Sequence, residues 1–223
     1  MDVRDAVHAR RSIRAFTDRE VAPELLTRLL TTAAYAPSGG NLQPWHVTVV
    51  RGRSMADLKA RMIARLTDAN APEPTPEYPM YPSPLKSPYR ERRFRNGEML
   101  YELLGIPRSD KPARLRQFAR NYVFFDAPVG LFVYVDRQMN APQWADLGMF
   151  LQTLMLLLTE AGVDSCPQLA WSTYHDTVAE VTSPPAELIL FSGLAIGYAD
   201  PTAPENNLRT ERAPLDEWCT VLE

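Results

Sequence analysis

The chain has 223 residues, 45% hydrophobic and 23% charged, enough to bury a core without disulfide staples. Its 24 basic and 27 acidic side chains leave a formal net charge of −3, so no global basic excess points to nucleic acid. Two cysteines, Cys166 and Cys219, form neither a disulfide framework nor metal-ligand spacing, and a reducing cytosol is the simplest setting.

The N-terminus is charged through Arg14 and lacks the apolar stretch of a secretory signal. Residues 2–11 predict a short helix with Val3, Ala6 and Val7 on one face. It leads into Arg10-Arg11-Ser12-Ile13-Arg14, which packs three guanidiniums and a hydroxyl into five residues. These arginines cannot share one helical face, but they converge if the helix ends near Arg11 and the chain turns. The planar guanidinium fork suits bidentate contact with phosphate. A solvated basic helix end is the other reading of the same residues.

Pro23 opens a second helix at a favoured first-turn position, with Leu25, Leu26, Leu29, Leu30 and Ala33 at helical spacing. It ends before Pro37-Ser38-Gly39-Gly40-Asn41-Leu42-Gln43-Pro44-Trp45, a glycine turn bounded by prolines. Gly39-Gly40 lets backbone approach a ligand closely, and Ser38 and Asn41 offer directional hydrogen bonds. An ordinary helix-to-strand turn uses the same residue types. Residues 46–50 predict a strand rich in β-branched side chains, and 55–66 a helix.

The stretch from about 68 to 95 differs. Pro72, Pro74, Pro76, Pro79, Pro82, Pro84 and Pro88 crowd together with Tyr78, Tyr81 and Tyr89 among them, a density that forbids helix and central strand. Apolar patterning resumes at 99–104 and 115–122, so this reads as an irregular excursion within one domain covering 1–223, either a binding loop or a disordered surface loop. Tyr78, Tyr81 and Phe94 are candidates to stack on a flat substrate. Neighbouring Arg90, Arg92, Arg93 and Arg95 suit a carboxylate or a nucleotide phosphate, or form a solvated helix face.

Residues 129–135 predict a buried strand and 144–161 a long helix apolar on nearly all sides, buried in a core or at a subunit interface. Its apolar run, 147–158, is bracketed by Asp146 and Glu160 and is too short to span a bilayer. Residues 176–181 predict a short helix, and 188–198 a strand-like run broken by Gly193 and Gly197. Strands and helices alternate irregularly, with no repeated βαβ unit and no GxGxxG, which argues for an α+β arrangement over a Rossmann domain. His8, His46 and His175 are isolated, and no zinc site is expected. Cys166 has no nearby histidine in the chain and no CxxC partner; it reads either as a redox thiol or as a small buried residue.

Five segments in this order resemble the nitroreductase family of FMN-dependent oxidoreductases: residues 10–16, 37–45, 162–168 (Gly-Val-Asp-Ser-Cys-Pro-Gln), 193–198 (Gly-Leu-Ala-Ile-Gly-Tyr) and 212–216 (Arg-Ala-Pro-Leu-Asp). The resemblance implies a central mixed or antiparallel sheet surrounded by helices, with FMN at a homodimer interface. It implies phosphate-side contacts from Arg10 and Arg11, and contacts to phosphate, ribityl or the ring's pyrimidine edge from Ser12 and Arg14. Arg212, with Arg209 nearby, matches the second phosphate clamp. Pro37, Ser38, Gly39 and Asn41 would reach the flavin from the other subunit. Pro167, Gln168 and Leu169 match the strand whose backbone amide points at flavin N5; Gln168-Leu169 departs from the Glu-Gly of some relatives, so the implied contact is a backbone one. Arg14 would favour the anionic reduced flavin, and no side chain is an obligate acid. The implied activity is a ping-pong cycle in which NADPH or NADH reduces FMN and a small aromatic acceptor, a nitroaromatic or quinone, reoxidises it in the cytoplasm. Nucleic-acid and membrane partners are not expected. Reductive dehalogenation or flavin-ring cleavage on the same fold, and a non-catalytic flavin-binding role, are the alternatives.

Overall fold

The computed structural model describes residues 1–222. In chain order the helices are α1 (Val3–Ala9), α2 (Pro23–Ala33), α3 (Gly52–Thr67), α4 (Tyr89–Leu103), α5 (Lys111–Ala119), α6 (Ala141–Glu160) and α7 (His175–Thr182). The strands are β1 (His46–Arg51), β2 (Val129–Asp136), β3 (Asp164–Gln168) and β4 (Leu188–Gly197). They form one antiparallel sheet in the order β1-β2-β4-β3, so the fold is α+β with an antiparallel rather than a mixed sheet.

The central strand β2 is buried on both faces, and its period-2 alternation divides the core in two. Leu131, Val133 and Val135 pack with Leu26 and Ala33 of α2 and with Leu147, Phe150, Leu154 and Leu158 of α6. Phe132 and Tyr134 point the other way, into a cluster with Leu58 and Met62 of α3, Phe124, Phe125 and Trp171. α6 starts three residues before the expected Trp144, because Pro142 occupies its first turn and the Asn140 N–H is held by Gln143 Oε1 at 3.3 Å. Among its residues Ala145, Gly148 and Met149 remain exposed, so its apolar surface is not fully covered within one protomer.

Three sequence expectations are corrected. The first helix stops at Ala9 rather than Arg11, and the Arg10 N–H closes its last turn on Ala6 O at 3.0 Å. Gly193 does not break the last strand: β4 runs through it unbroken, and the glycine is there because Trp171 packs directly against its Cα. The irregular excursion ends at residue 88; residues 89–95, including all four neighbouring arginines, lie on α4, past the last proline.

The excursion is anchored where the sheet is incomplete. β3 pairs with β4 only over Gly193–Gly197, leaving the earlier part of β4 without a strand on that side among the described residues. The Glu77 carboxylate accepts from Leu190 N–H at 3.4 Å and the Tyr78 hydroxyl donates to Phe191 O, so two loop side chains satisfy strand groups. Glu77 also pairs with Arg137 and lies 3.6 Å from His175 Nδ1. Tyr78 stands edge-on to Trp144 of α6, ring centroids 4.9 Å apart.

Candidate functional site: an arginine cavity built from both ends of the chain

After α1 the chain runs extended along the open edge of the sheet. Ser12 bridges Ser165 of β3, and the Ile13 N–H donates to Ser165 O at 3.1 Å. Extended backbone sends alternate side chains to opposite sides. Ile13 is buried in the core, while Arg10, Ser12 and Arg14 face a cavity.

The opposite wall comes from the far end of the sequence. Beyond β4 the chain makes a 3-10 turn over Pro204–Asn207 and then supplies Leu208, Arg209, Thr210 and Arg212. Val7 and His8 of α1, Asn96 of α4 and Gln152 of α6 complete a cavity of about 560 Å³, a size suited to a small-molecule ligand. Five guanidiniums line it (Arg10, Arg11, Arg14, Arg209, Arg212) and, among the described residues, no carboxylate does.

Burial lowers the pKa of Arg10 below the usual arginine value, and Arg212 lowers it further. Arg11 is lowered in the same way by burial and then by Arg209, against the opposing pull of Asp164. Guanidiniums stay protonated, so like charges share this cavity and an anion between them would be favoured. A phosphate monoester, with up to two charges and several acceptor oxygens, fits this donor set.

Arg11 has a second attachment: one guanidinium nitrogen donates to Asn206 O at 2.8 Å. Arg14 donates to Ser12 O at 3.2 Å, and Arg212 is held to the oxygens of Thr210 and Glu211. Cys166 lies behind this wall, fully buried. Burial pushes its thiol pKa up, against the opposing pull of Arg14, the Ser12 hydroxyl and Arg10, which favours a small buried residue over a redox thiolate.

The other candidates divide. Pro167 and Gln168 close β3, and Leu169 lies just past it in a 3-10 turn rather than in the strand. The Gln168 side chain points inward, donating to Asn121 O at 2.8 Å and accepting from Trp171 Nε1 at 3.4 Å, and none of Pro167, Gln168 and Leu169 lines the cavity. Pro37, Ser38, Gly39 and Asn41 do not line the cavity of their own protomer. They sit on a turn in which Gly40, Asn41 and Gln43 all take positive φ, a conformation that glycine and asparagine tolerate best. The Gly39 N–H fixes that turn to the buried Asp146 of α6 at 3.2 Å, and Ser38 Oγ accepts from Gln43 N–H at 3.0 Å.

Tyr78, Tyr81 and Phe94 also lie outside the cavity lining. The Tyr78 hydroxyl is engaged on β4, while the Tyr81 and Phe94 rings carry Arg93 and Arg108 over their faces at 4.3 and 5.1 Å. Sequence reading missed Asn96, Gln152 and Thr210, which no local motif flags. It also missed Asn206, whose Pro-Glu-Asn-Asn context reads as an ordinary turn.

The segments before β1 and after β4 thus close an arginine-lined cavity at the edge of an α+β sheet, a donor set that fits a phosphorylated small molecule. The chain matches the model of the Nitroreductase family over residues 7–198, and it belongs to that family. It is 35% identical over 218 residues to a nitrobenzene nitroreductase of Ectopseudomonas oleovorans, covering 98% of this chain and 96% of the relative. Its fold superposes with a TM-score of 0.96 on an FMN and NADPH-dependent nitroreductase, NfnB from Sphigopyxis sp. strain HMH, at 47% identity and full coverage of both chains. A second solved relative, the FMN-dependent nitroreductase NfnB from Mycobacterium smegmatis in complex with NADPH, gives 0.93 at 32% identity, again over both full chains.

Proposed function

We propose that this chain is an FMN-dependent oxidoreductase that uses NADPH to reduce nitroaromatic acceptors, with quinones as a second acceptor class, and that it works as a cytoplasmic homodimer. The observation that carries the reading is the cavity lined by five guanidiniums and, among the described residues, by no carboxylate. The names of full-length relatives support the acceptor and the reductant.

In this reading Arg10, Arg11, Ser12, Arg209 and Arg212 hold the FMN phosphate. Bound FMN supplies the two-electron chemistry that couples NADPH oxidation to acceptor reduction. The protein contributes position and charge. Arg14 places a cation in the same cavity, favouring negative charge on the bound group. Pro167, Gln168 and Leu169 meet the ring through their backbone, since the Gln168 amide is occupied inside the protein. Pro37, Ser38, Gly39 and Asn41 serve the partner subunit's site; their position outside their own cavity supports this. The exposed Ala145, Gly148 and Met149 of α6 support a subunit interface there. Tyr81 and Phe94, 45% and 51% exposed, are the rings available to an aromatic acceptor, and Tyr78 anchors the loop that carries Tyr81.

The test is the visible spectrum of the purified protein, its bleaching by NADPH and its recovery on adding nitrobenzene. A yellow protein that cycles is expected. Arg10→Ala and Arg212→Ala should each weaken FMN about 10- to 100-fold, the cost of one charge-assisted contact. A colourless protein that neither takes up FMN nor oxidises NADPH refutes the reading. Full flavin occupancy at unchanged affinity in both variants refutes the clamp. Sedimentation should give a dimer at micromolar concentration; a flavin-loaded monomer refutes the shared site.

A further inference from the structure

The phosphate-clamp reading leaves open what holds two distant stretches of chain in register. Arg10 to Arg14 and Arg209 to Arg212 are separated by nearly the whole sequence, and their guanidiniums repel one another. We propose that Asn206 is the positioning residue that joins the two halves of the clamp; the proposal rests on the FMN assignment above.

Asn206 sits in the Pro204–Asn207 turn, three residues before Arg209, and is 6% exposed. Its side-chain oxygen accepts from Arg14 N–H at 2.8 Å and from Ala15 N–H at 3.2 Å. Its side-chain nitrogen donates to Ala15 O at 2.8 Å and to Asp200 O at 2.9 Å. Its backbone oxygen accepts the Arg11 guanidinium at 2.8 Å. The amide thus uses both donors and both acceptor positions, a full complement for this side chain. Three of these partners lie on the N-terminal arginine segment or its immediate extension, and Arg11 adds a fourth link. Only a planar group with a donor edge and an acceptor edge can pair with N–H and C=O groups of the same backbone segment. Serine, alanine and aspartate cannot reproduce this.

Asn206 does not line the cavity itself, and it reaches the site through Arg11 and the backbone of Arg14 and Ala15. It acts by setting where Arg209 and Arg212 stand relative to Arg10 and Arg14. Its effect should therefore appear in the recognition of the phosphate specifically. Riboflavin, which carries the same ring and no phosphate, separates this from a general loosening of the fold.

The experiment compares the wild-type holoprotein with Asn206→Ser and Asn206→Ala, neutral changes that add no charge near the clamp. Asn207→Ala, at the exposed neighbouring position, is the control. FMN affinity is measured by dilution and filtration with chromatography of free flavin, and riboflavin affinity by competition with bound FMN. Asn206→Ser should weaken FMN by ~10-fold or more, on the scale of a lost buried hydrogen-bond set, and riboflavin by less than ~2-fold. Activity per bound flavin at saturating FMN should stay close to wild type. Equal weakening of both flavins, or unchanged FMN affinity, overturns the proposal. Should both variants fail to fold, hydrogen exchange on the wild type decides. Exchanging riboflavin for FMN should raise protection of Arg14 and Ala15 N–H together with the 204–208 turn, and no linked change there overturns it. A wild-type protein that binds FMN no better than riboflavin would instead remove the clamp reading itself.

Discussion

Replacing Gly193 by alanine should destabilise this protein more than any other one-carbon change beside the candidate site. A Cβ at 193 would fall 2.3 Å from Trp171 Cδ1, 3.0 Å from its Nε1 and 3.1 Å from its Cγ. Ordinary carbon contacts begin near 3.5 Å, so about 1 Å of space must be made. The indole has nowhere to go. It is fully buried, with Tyr122 and Phe132 edge-on at 5.5 and 5.2 Å and Phe124 at 4.6 Å. Overpacking costs about 1–3 kcal/mol, and a rigid ring wedged on three sides places this case near 3. For a chain of this length that corresponds to a melting temperature lower by roughly 6–12 °C. The strain also reaches the site, because Gly193 lies opposite Gln168 in the sheet and Trp171 donates to the Gln168 side chain. Calorimetry at fixed protein and FMN concentrations measures the shift, since bound ligand and association both move it. Trp171→Ala in the same chain removes all three atoms that the new methyl strikes, so the double variant should recover at least 1 kcal/mol relative to additivity. A melting temperature within ~1 °C of wild type, or strictly additive losses, would refute the reasoning.

Three further outcomes are expected. Burial raises the Tyr134 pKa from 10.0 to about 12, opposed by its 2.9 Å hydrogen bond with Thr182. The folded state keeps that proton longer than the unfolded chain, so the contribution is intact below pH 10 and is lost as pH rises towards 12, in all about 2–3 kcal/mol. Urea titrations from pH 9.5 to 12 should fall less steeply for Tyr134→Phe; identical slopes would contradict the assignment. In a Cys219→Ser background, which removes the exposed thiol, Cys166 should resist a thiol reagent until denaturant is added, and prompt titration of the native protein would show it to be open. Glu77→Ala removes the partner of Arg137, His175 and Leu190 N–H, so residues 68–88 should be cut faster by protease while β4 stays protected; unchanged cleavage would mean that Glu77 is not the anchor.

Much of this protein is decided locally and can be read from the sequence. Helix α2 follows from Pro23 and its leucine spacing, β2 from an unbroken apolar run, and the irregular 68–88 stretch from proline, because each depends on neighbours a few residues away. The arginines of 10–14 stand out by guanidinium density, which needs no tertiary context to be noticed, whereas Arg209 and Arg212 were picked out only through the family resemblance; the structure places both groups on one cavity. What the sequence could not decide is which distant groups meet. Gly193 looked like a strand breaker because nothing nearby announces Trp171, whose ring fills the space that a side chain would take. Tyr78 looked free to stack on a ligand, yet the open edge of β4 captures its hydroxyl. Asn96 and Gln152 join the cavity only because α4 and α6 lie beside the chain ends, and Asn206 gains its partners only when the two ends come together. Local chemistry selects the elements and the charged motifs, whereas the satisfaction of buried backbone groups and the exclusion of overlap act across the whole chain and are settled only by the tertiary fold.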